Sequence, residues 1–392
     1  MKIVMATPIL YDSSSPFNHL LKDILQSFVN AGYEVVRIVA VENLSDDEYK
    51  MGLDGIEYIP VVRKRMEKAN IIKRYIVDSL TNIKMARLIK KTKADVLFED
   101  VSYSSLWSVF ASKRRRMKIV SMFQDVWPDN AVQSGLISEN SFIYKIFDFL
   151  QKPVYKKSDR VICISDDMKD FIESKGVKTE KTSVIYNWGY SDEPVDIKRE
   201  DNEFVKKYDL KNDKFYAVYA GNIGRMQNVR LIVEAAKRLS DKEDIHFLIV
   251  GDGVMREDIE KMTAGMKNVT MLPFQPSELA TSIYSMADVN IIPLVPGGLK
   301  TALPSKIGVC LSCGNPIIAC VDKGSCLEKL FEQNESGLVV SPDSSEFLAE
   351  AIEKMTLSKN KEKNYRFFEK SFKRTVNAGK YAEVLAESVI GE

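Results

Sequence analysis

The chain has 392 residues, 45% of them hydrophobic, with 56 Lys+Arg against 55 Asp+Glu. That length exceeds one ordinary core and predicts two domains, and the apolar fraction excludes a disordered chain. A net charge of +1 excludes a global field for nucleic acid. No run of 18 apolar residues offers a membrane span, and Met1 and Lys2 lead into a strand with no apolar signal stretch.

Residues 2–7 read as a first strand, ended by Pro8. A Ser-rich loop follows, carrying Ser13, Ser14 and Ser15. Ser14 and Ser15 either donate to a phosphate or sugar or cap the next helix. That helix runs through Leu20, Leu21, Ile24, Leu25 and Phe28 and stops near Gly32, before a strand at 34–40. Eleven Lys/Arg and two acidic residues lie between Val61 and Lys93. Within that stretch residues 69–91 read as a basic helix, with Ile72, Ile76, Leu80, Ile83 and Ile89 on its apolar stripe. It is either a helix packed on a sheet or a surface that meets anionic lipid headgroups. Lys113 to Lys118 adds a second basic knot.

Strands are expected at 94–98 and 118–122. Just beyond the second stand Gln124, Asp125, Trp127, Pro128 and Asp129. Asp125 there acts as a base, binds a sugar hydroxyl, or caps the next helix. A strand at 160–164 precedes a helix with Ser165 as N-cap, and 183–186 closes the first alternating series. The charged, aperiodic stretch 191–214 marks the crossing to a second domain.

Residues 215–221 read as a buried strand that breaks at Gly221, Asn222 and Gly224. A helix through Val229, Ile232, Val233 and Ala236 follows, then a strand ending at Gly251 and Gly253. Strand, helix, strand is a parallel βαβ unit, and the loops at its carboxyl edge suit anions. The alternative is that these glycines only make turns. Further on, 269–272 and 274–276 are apolar runs, and a helix at 277–286 is capped by Ser277. After a strand at 288–293, a helix starts at 302–306 through Pro304, Ser305 and Lys306. Its hydroxyl, N–H groups and cation suit a phosphate; the alternative for Lys306 is a solvated surface lysine. Strands at 315–319 and 337–340 and two helical runs, the last at 375–389, end the chain.

Neither a dinucleotide G-x-G-x-x-G nor a P-loop motif opens either half. With only His19 and His246, a His-based triad or metal cluster is not expected. The five cysteines, an odd number, suggest a reducing cytosol. Cys310 and Cys313 form C-x-x-C, with Cys320 and Cys326 beyond; buried free thiols are favoured over a zinc site.

The stretches 124–129, 158–165 and 184–188, then Gly221 to Gly224 with Gln227, 250–253, and 304–306 through 314–316, resemble in their order and spacing the family 4 retaining glycosyltransferases. The resemblance covers nearly the whole chain and is strongest to a fucosamine transferase-like branch of bacterial polysaccharide enzymes. It implies the GT-B fold, α/β with two Rossmann-like parallel-sheet domains facing across a cleft. Residues 1–188 would bind the acceptor and 189–374 the nucleotide sugar, with helix 375–392 packed back on the first. It places the diphosphate at Gly221, Asn222, Gly224 and Gln227, with Gly253 in the next turn. Phe274 and Gln275 would lie by the base, and Thr301, Pro304, Ser305 and Lys306 would reach the sugar and phosphates. Asp125 and Lys306 are the expected catalytic pair, and Ser15 stands in the first donor-side loop.

No metal or cofactor is implied, since protein donors neutralise the leaving diphosphate. The usual Gly-Gly loop is replaced by Ser13, Ser14 and Ser15, the usual clamp cations by Asn222 and Gln227, and the usual paired glutamates by Thr301 and Val309. The expected reaction is transfer of a hexosyl or N-acetylhexosaminyl group from a UDP-sugar to a saccharide on a lipid diphosphate, as in capsule or other surface polysaccharide synthesis. The expected setting is the cytoplasmic face of an anionic membrane, met through the basic first domain. A catalytically weak GT-B partner subunit or scaffold is the alternative, and a nucleotide-sugar epimerase a third.

Overall fold

The computed structural model describes residues 1–12, 15–45, 47–65, 71–355 and 361–390. Ser13, Ser14 and Ala69, and the side chains of Ile72 and Arg74, lie outside what is described. The chain divides into two compact units. The first comprises residues 1–132, 137–186 and 375–392; the second comprises 133–136 and 187–374.

The first unit is a seven-stranded, wholly parallel sheet in the order β3-β2-β1-β4-β5-β6-β7. Its strands are β1 (Lys2–Leu10), β2 (Glu34–Val41), β3 (Ile56–Val62), β4 (Val96–Asp100), β5 (Lys118–Phe123), β6 (Arg160–Cys163) and β7 (Thr182–Val184). Its helices are α1 (Pro16–Asn30), α2 (Ile71–Thr92), α3 (Leu106–Lys113), α4 (Asp129–Gln133), α5 (Phe142–Lys157) and α6 (Asp166–Ser174).

The second unit is a six-stranded parallel sheet, β10-β9-β8-β11-β12-β13. Its strands are β8 (Phe215–Ala220), β9 (Ile245–Val250), β10 (Val269–Leu272), β11 (Val289–Pro293), β12 (Ile317–Cys320) and β13 (Leu338–Val340). It carries α7 (Glu203–Lys207), α8 (Val229–Arg238), α9 (Arg256–Thr263), α10 (Ala280–Met286), α11 (Lys306–Ser312), α12 (Cys326–Asn334), α13 (Ser345–Met355) and α14 (Lys361–Ser371). The last helix, α15 (Arg374–Ile390), belongs with the first unit. There Tyr381 is buried with its ring 6.1 Å from that of Phe98, edge to face, and Asn377 donates to the Tyr186 carbonyl at 3.0 Å.

Both units owe this topology to the same pattern. Apolar strands such as Ile-Val-Met-Ala in β1 and Tyr-Ala-Val-Tyr-Ala in β8 are buried on both faces, so they must lie inside a helix-covered parallel sheet. Each helix returns the chain antiparallel to the strands. All strand-to-helix loops of a unit therefore gather at one edge, the carboxyl edge.

Five local expectations change. The first strand does not stop at Pro8 but continues to Leu10, with a register shift against β2 between Thr7 and Leu10 that accommodates the proline. Strand β3 escapes a sequence reading because Pro60 sits inside it; as an edge strand it tolerates the missing N–H. Residues 274–276 are loop, and Ser277 opens a short 3-10 turn ahead of α10 without capping it. The helix expected from 302 starts at Lys306.

The fifth concerns α2, which is turned about its axis relative to the expected stripe. Ile76 and Leu80 are exposed, whereas Asp78, Ser79, Thr81 and Asn82 are buried beside Met85 and Ile89. Asp78 meets the buried Arg63 at 2.7 Å and the Tyr103 hydroxyl, and Asn82 donates to the Ser104 carbonyl at 2.8 Å. Paired in this way, polar side chains can be buried where the sequence alone shows only a penalty. Arg63, counted with the basic stretch, is thus an interior ion-pair partner and not surface charge.

Candidate functional site

Each unit brings sequence-predicted residues together at its carboxyl edge. In the second unit the turn after β8 lies against the turn after β9. Gly221 N–H donates to the Val250 carbonyl at 2.9 Å, Ile223 to Asp252 at 2.7 Å, and Met255 back to Ile223 at 3.0 Å. Two positions favour glycine, Gly251 by backbone contact and Gly221 by its backbone conformation. A Cβ on Gly251, whose φ is +152°, would stand 1.8 Å from the Gly221 carbonyl oxygen; one on Gly221, with φ +142°, would stand 2.8 Å from Lys306 Nζ. The turn at Gly251 is therefore closed to any side chain, and the turn at Gly221 is strained for one.

Lys306 opens α11 and extends to this turn. Its Nζ donates to the Ala220 carbonyl at 2.8 Å and lies 4.0 Å from the Tyr219 ring centroid, a cation–π position. Tyr219 in turn donates its hydroxyl to the Asn222 carbonyl. Among the described residues no carboxylate pairs with Lys306, and burial lowers its pKa to about 8. A partly buried cation with acceptors but no counter-ion is an anion-receptive group.

Asn222 and Gln227 are neighbours, Nδ2 to Oε1 at 3.4 Å, and Gly224 packs against both amides. Gly253 lies against Ile223 and Asn222. Ser305 is exposed and caps nothing with its side chain; Pro304 precedes it. Phe274 is exposed.

Two predicted donor residues are placed differently from expectation. Thr301 is wholly buried, its hydroxyl bonded within the loop to Gly298 at 3.4 Å. Gln275 is buried too, accepting from Lys207 at 2.9 Å and donating to the Pro273 carbonyl at 2.8 Å. Both side chains are committed to holding their loops and are not presented at the surface.

In the first unit Asp125 follows β5. It is accessible to solvent, accepts from the Asn130 side chain, and has a pKa raised by desolvation. It does not cap α4, which Asp129 opens. The neighbouring strand β4 ends at Asp100, in register with Met122, and Val101 N–H donates to the Met122 carbonyl at 2.9 Å. Burial, and then the charge of Asp125, push the Asp100 carboxyl up to about 7. Desolvation chiefly, with the neighbouring charge adding to it, thus leaves Asp100 partly protonated near neutrality.

Asp100, Glu99 and Tyr219 escaped the sequence reading; their only signal was position at strand ends. Glu99 is wholly buried, and the nearby Ser105 and Ser108 hydroxyls offset its desolvation only in part, leaving its pKa at about 8. Ser15 occupies the N-cap position of α1 without a capping bond from its side chain, so the cap alternative is not realised at Ser15.

All five cysteines are buried free thiols. Among the described residues no group of three or more His, Cys, Asp or Glu is placed to hold a metal, and no helix is long and apolar enough to cross a membrane.

Two family models match: Glycosyltransferase Family 4 over residues 18–188 and Glycosyl transferases group 1 over residues 200–373. The chain is 25% identical over 267 residues to the probable glycosyltransferase WbjE of Pseudomonas aeruginosa, covering 67% of this chain and 66% of that one. It is 30% identical over 209 residues to the putative colanic acid biosynthesis glycosyl transferase WcaI of Escherichia coli, covering 51% and 50%. The chain thus spans between half and two thirds of the length of these curated relatives. Among solved structures, Anabaena HepE in complex with UDP and glucose superposes with a TM-score of 0.73 at 15% identity, covering 98% of this chain and 99% of that one. Sucrose-phosphate synthase from Thermosynechococcus elongatus gives 0.78 at 16% identity, covering all of both chains. These likenesses show the fold. With one family model on each parallel-sheet unit, the chain belongs to the family 4 glycosyltransferases and has the GT-B fold.

Proposed function

We propose that the protein is a retaining glycosyltransferase of bacterial surface polysaccharide synthesis. It moves a hexosyl or N-acetylhexosaminyl group from a UDP-sugar to a saccharide carried on a lipid diphosphate, at the cytoplasmic face of an anionic membrane. The observation that carries the reading is Lys306: a cation without a carboxylate partner among the described residues, set over the Tyr219 ring beside a glycine turn in which Gly221 is half-buried and Asn222 exposed. A diphosphate supplies the missing counter-charge. HepE was solved with UDP and glucose, and a Campylobacter jejuni relative, 22% identical over 239 residues, is named for transfer to a diphospho-undecaprenol-linked saccharide.

On this reading the glycosidic C1–O bond to the diphosphate breaks while the acceptor hydroxyl bonds to C1 on the same face. The leaving diphosphate oxygen takes the acceptor proton. Lys306 and those N–H groups of the 221–227 turn that are not bonded to the turn after β9 meet the charge that develops, in the role a metal fills elsewhere, and Asp125 positions the acceptor hydroxyl. The exposed Phe274 offers a face for the base. Thermal shift against UDP and GDP, followed by nucleotide release from a panel of UDP-sugars, tests this. No UDP shift and no release from any donor would favour instead the partner-subunit reading, which the amides at 222 and 227 also fit. Proton NMR of the product's anomeric centre tests retention.

A further inference from the structure

Helices α2, α3 and α5 of the first unit each leave an unusual face in solvent. On α5 that face is Phe142, Lys145, Ile146, Phe149, Lys152 and Lys156, a helical stripe, with Phe142 77% and Phe149 68% exposed. On α2 it is Ile76 and Leu80, 51% and 56% exposed, then Lys84, Arg87 and Lys91. On α3 it is Trp107 and Phe110, then Arg114. The three helices are neighbours: α3 contacts both α2 and α5, and Lys157 Nζ lies 4.7 Å from the Phe110 ring centroid. Ile83, Arg87, Lys90, Trp107, Phe110 and Arg114 line a groove between α2 and α3.

The order along each stripe is the informative part. All three helices connect parallel strands and so run antiparallel to them. Their N-terminal ends therefore lie toward the carboxyl edge, where Asp125 stands, and the exposed aromatic and aliphatic side chains run from those ends to about the middle of each helix. Most of the exposed lysines and arginines follow them, Arg114 just past the end of α3, while Lys73 and Lys145 stand nearer the N-termini; Lys152 also reaches Asp148 at 3.5 Å. In all three segments the exposed apolar side chains lie nearer the site than most of the cations.

We infer that this three-helix face docks on an anionic phospholipid bilayer, with Phe142, Ile146, Phe149 and Trp107 entering the acyl boundary and the flanking cations meeting lipid phosphates. Charge complementarity selects this occupant. A second copy docked through the same face would bring Lys84, Arg87, Lys91 and Lys156 against like charges, whereas a bilayer satisfies both the apolar and the cationic side chains. The inference rests on the proposed lipid-linked acceptor and adds the surface that brings it to Asp125. It also differs from the sequence expectation, which put the contact on the stretch 61–93 alone.

Flotation of the full chain with vesicles of 70% phosphatidylcholine and 30% phosphatidylglycerol tests it, in parallel with pure phosphatidylcholine and without nucleotide sugar. Binding is expected only with the anionic vesicles. F142S/F149S should lower the bound fraction at least ten-fold at 0.3 M salt, where screening leaves the apolar contact dominant; K84E/R87E should do so at 0.05 M salt. No flotation of the wild type, or undiminished flotation of both variants, overturns the inference. So does a concentration-dependent dimer in analytical ultracentrifugation that F149S abolishes. UDP binding by F142S/F149S, followed by thermal shift, should match the wild type. That separates failure of this surface, or of the variant's fold, from failure of the glycosyltransferase reading.

Discussion

In the first unit, strands β4 and β5 deliver carboxyls, Asp100 and Asp125, to the carboxyl edge; in the second, β8 and β9 deliver glycines and α11 delivers a lysine. The backbone architecture is the same in both units, parallel strands with helical returns. The chemistry is opposite, because a few residues at the strand ends decide it and the fold does not. Carboxyls of raised pKa at a strand edge suit sugar hydroxyls. A lysine stabilised by an aromatic face and a carbonyl, with close-packed glycine turns, suits phosphate oxygens.

The comparison breaks most visibly at Lys306. Lys306→Ala should lower kcat/KM roughly 10²–10³-fold, the effect of losing one preorganised charge donor, while its melting temperature stays near that of the wild type. Asp125→Ala should lower kcat/KM about 10²-fold and leave UDP affinity unchanged, whereas Lys306→Ala weakens both. Steady-state kinetics together with titration calorimetry separate the two. If UDP affinity followed Asp125 and ignored Lys306, the assignment of donor and acceptor to the two units would be reversed.

Glycine placement is the next test. Gly251→Ala puts a methyl 1.8 Å from the Gly221 oxygen in a backbone conformation that alanine avoids, so the two turns must separate. Destabilisation of about 2–4 kcal/mol is expected by denaturant unfolding, with UDP binding lost, whereas Gly265→Ala, in open space, should retain UDP binding.

How much of this was readable from the residues alone follows from range. The alternation of strand and helix, the glycine turns at 221–224 and 251–253, and Lys306 at a helix start are local patterns, and periodicity reveals them. The inverted face of α2 was not readable, since burial of Asp78 depends on Arg63, fifteen residues away, and on Tyr103 from another loop. A hydrophobic stripe on a helix is compatible with either face until its polar side chains find partners. Strand β3 was hidden by Pro60, which looks like a breaker until the strand is known to be an edge. The Asp100–Asp125 pair was hidden because nothing in sequence says that β4 and β5 are neighbours. Thr301 and Gln275 show the converse. Position in a familiar motif suggested ligand contact, and packing has used both side chains internally.

Protonation distinguishes the two edges further. Lys306 carries its charge below about 8 and loses it above. If only the charged form binds diphosphate, UDP affinity should fall roughly ten-fold between pH 7 and 9. Its folded pKa lies below the unfolded value of 10.5, so between about 8 and 10.5 the unfolded chain binds more protons and this group's contribution to stability rises with pH. Thermal scans should therefore show the UDP increment shrinking over a range in which Lys306 itself favours the ligand-free fold. For Asp100, near 7, Asp100→Asn fixes the neutral form and should flatten any change in kcat/KM around neutral pH.

The smallest effect concerns Glu99, the buried carboxyl beside Asp100 in sequence. With no salt-bridge partner among the described residues, it is held neutral by protonation, whereas Lys306 is held beside a ring and a carbonyl. Its folded pKa of about 8 lies above the ordinary 4.5, so the folded chain holds the extra proton. Its contribution is full below 4.5 and is lost as pH rises through 8. Glu99→Gln keeps the shape and removes the titration. The variant should melt a few degrees above the wild type at pH 8.5 and close to it at pH 5, with kcat/KM unchanged at neutral pH. A variant that melted below the wild type at both values would mean that Glu99 is ionised and paired in the fold, and that the acidic edge carries one more charge than the pair at Asp100 and Asp125.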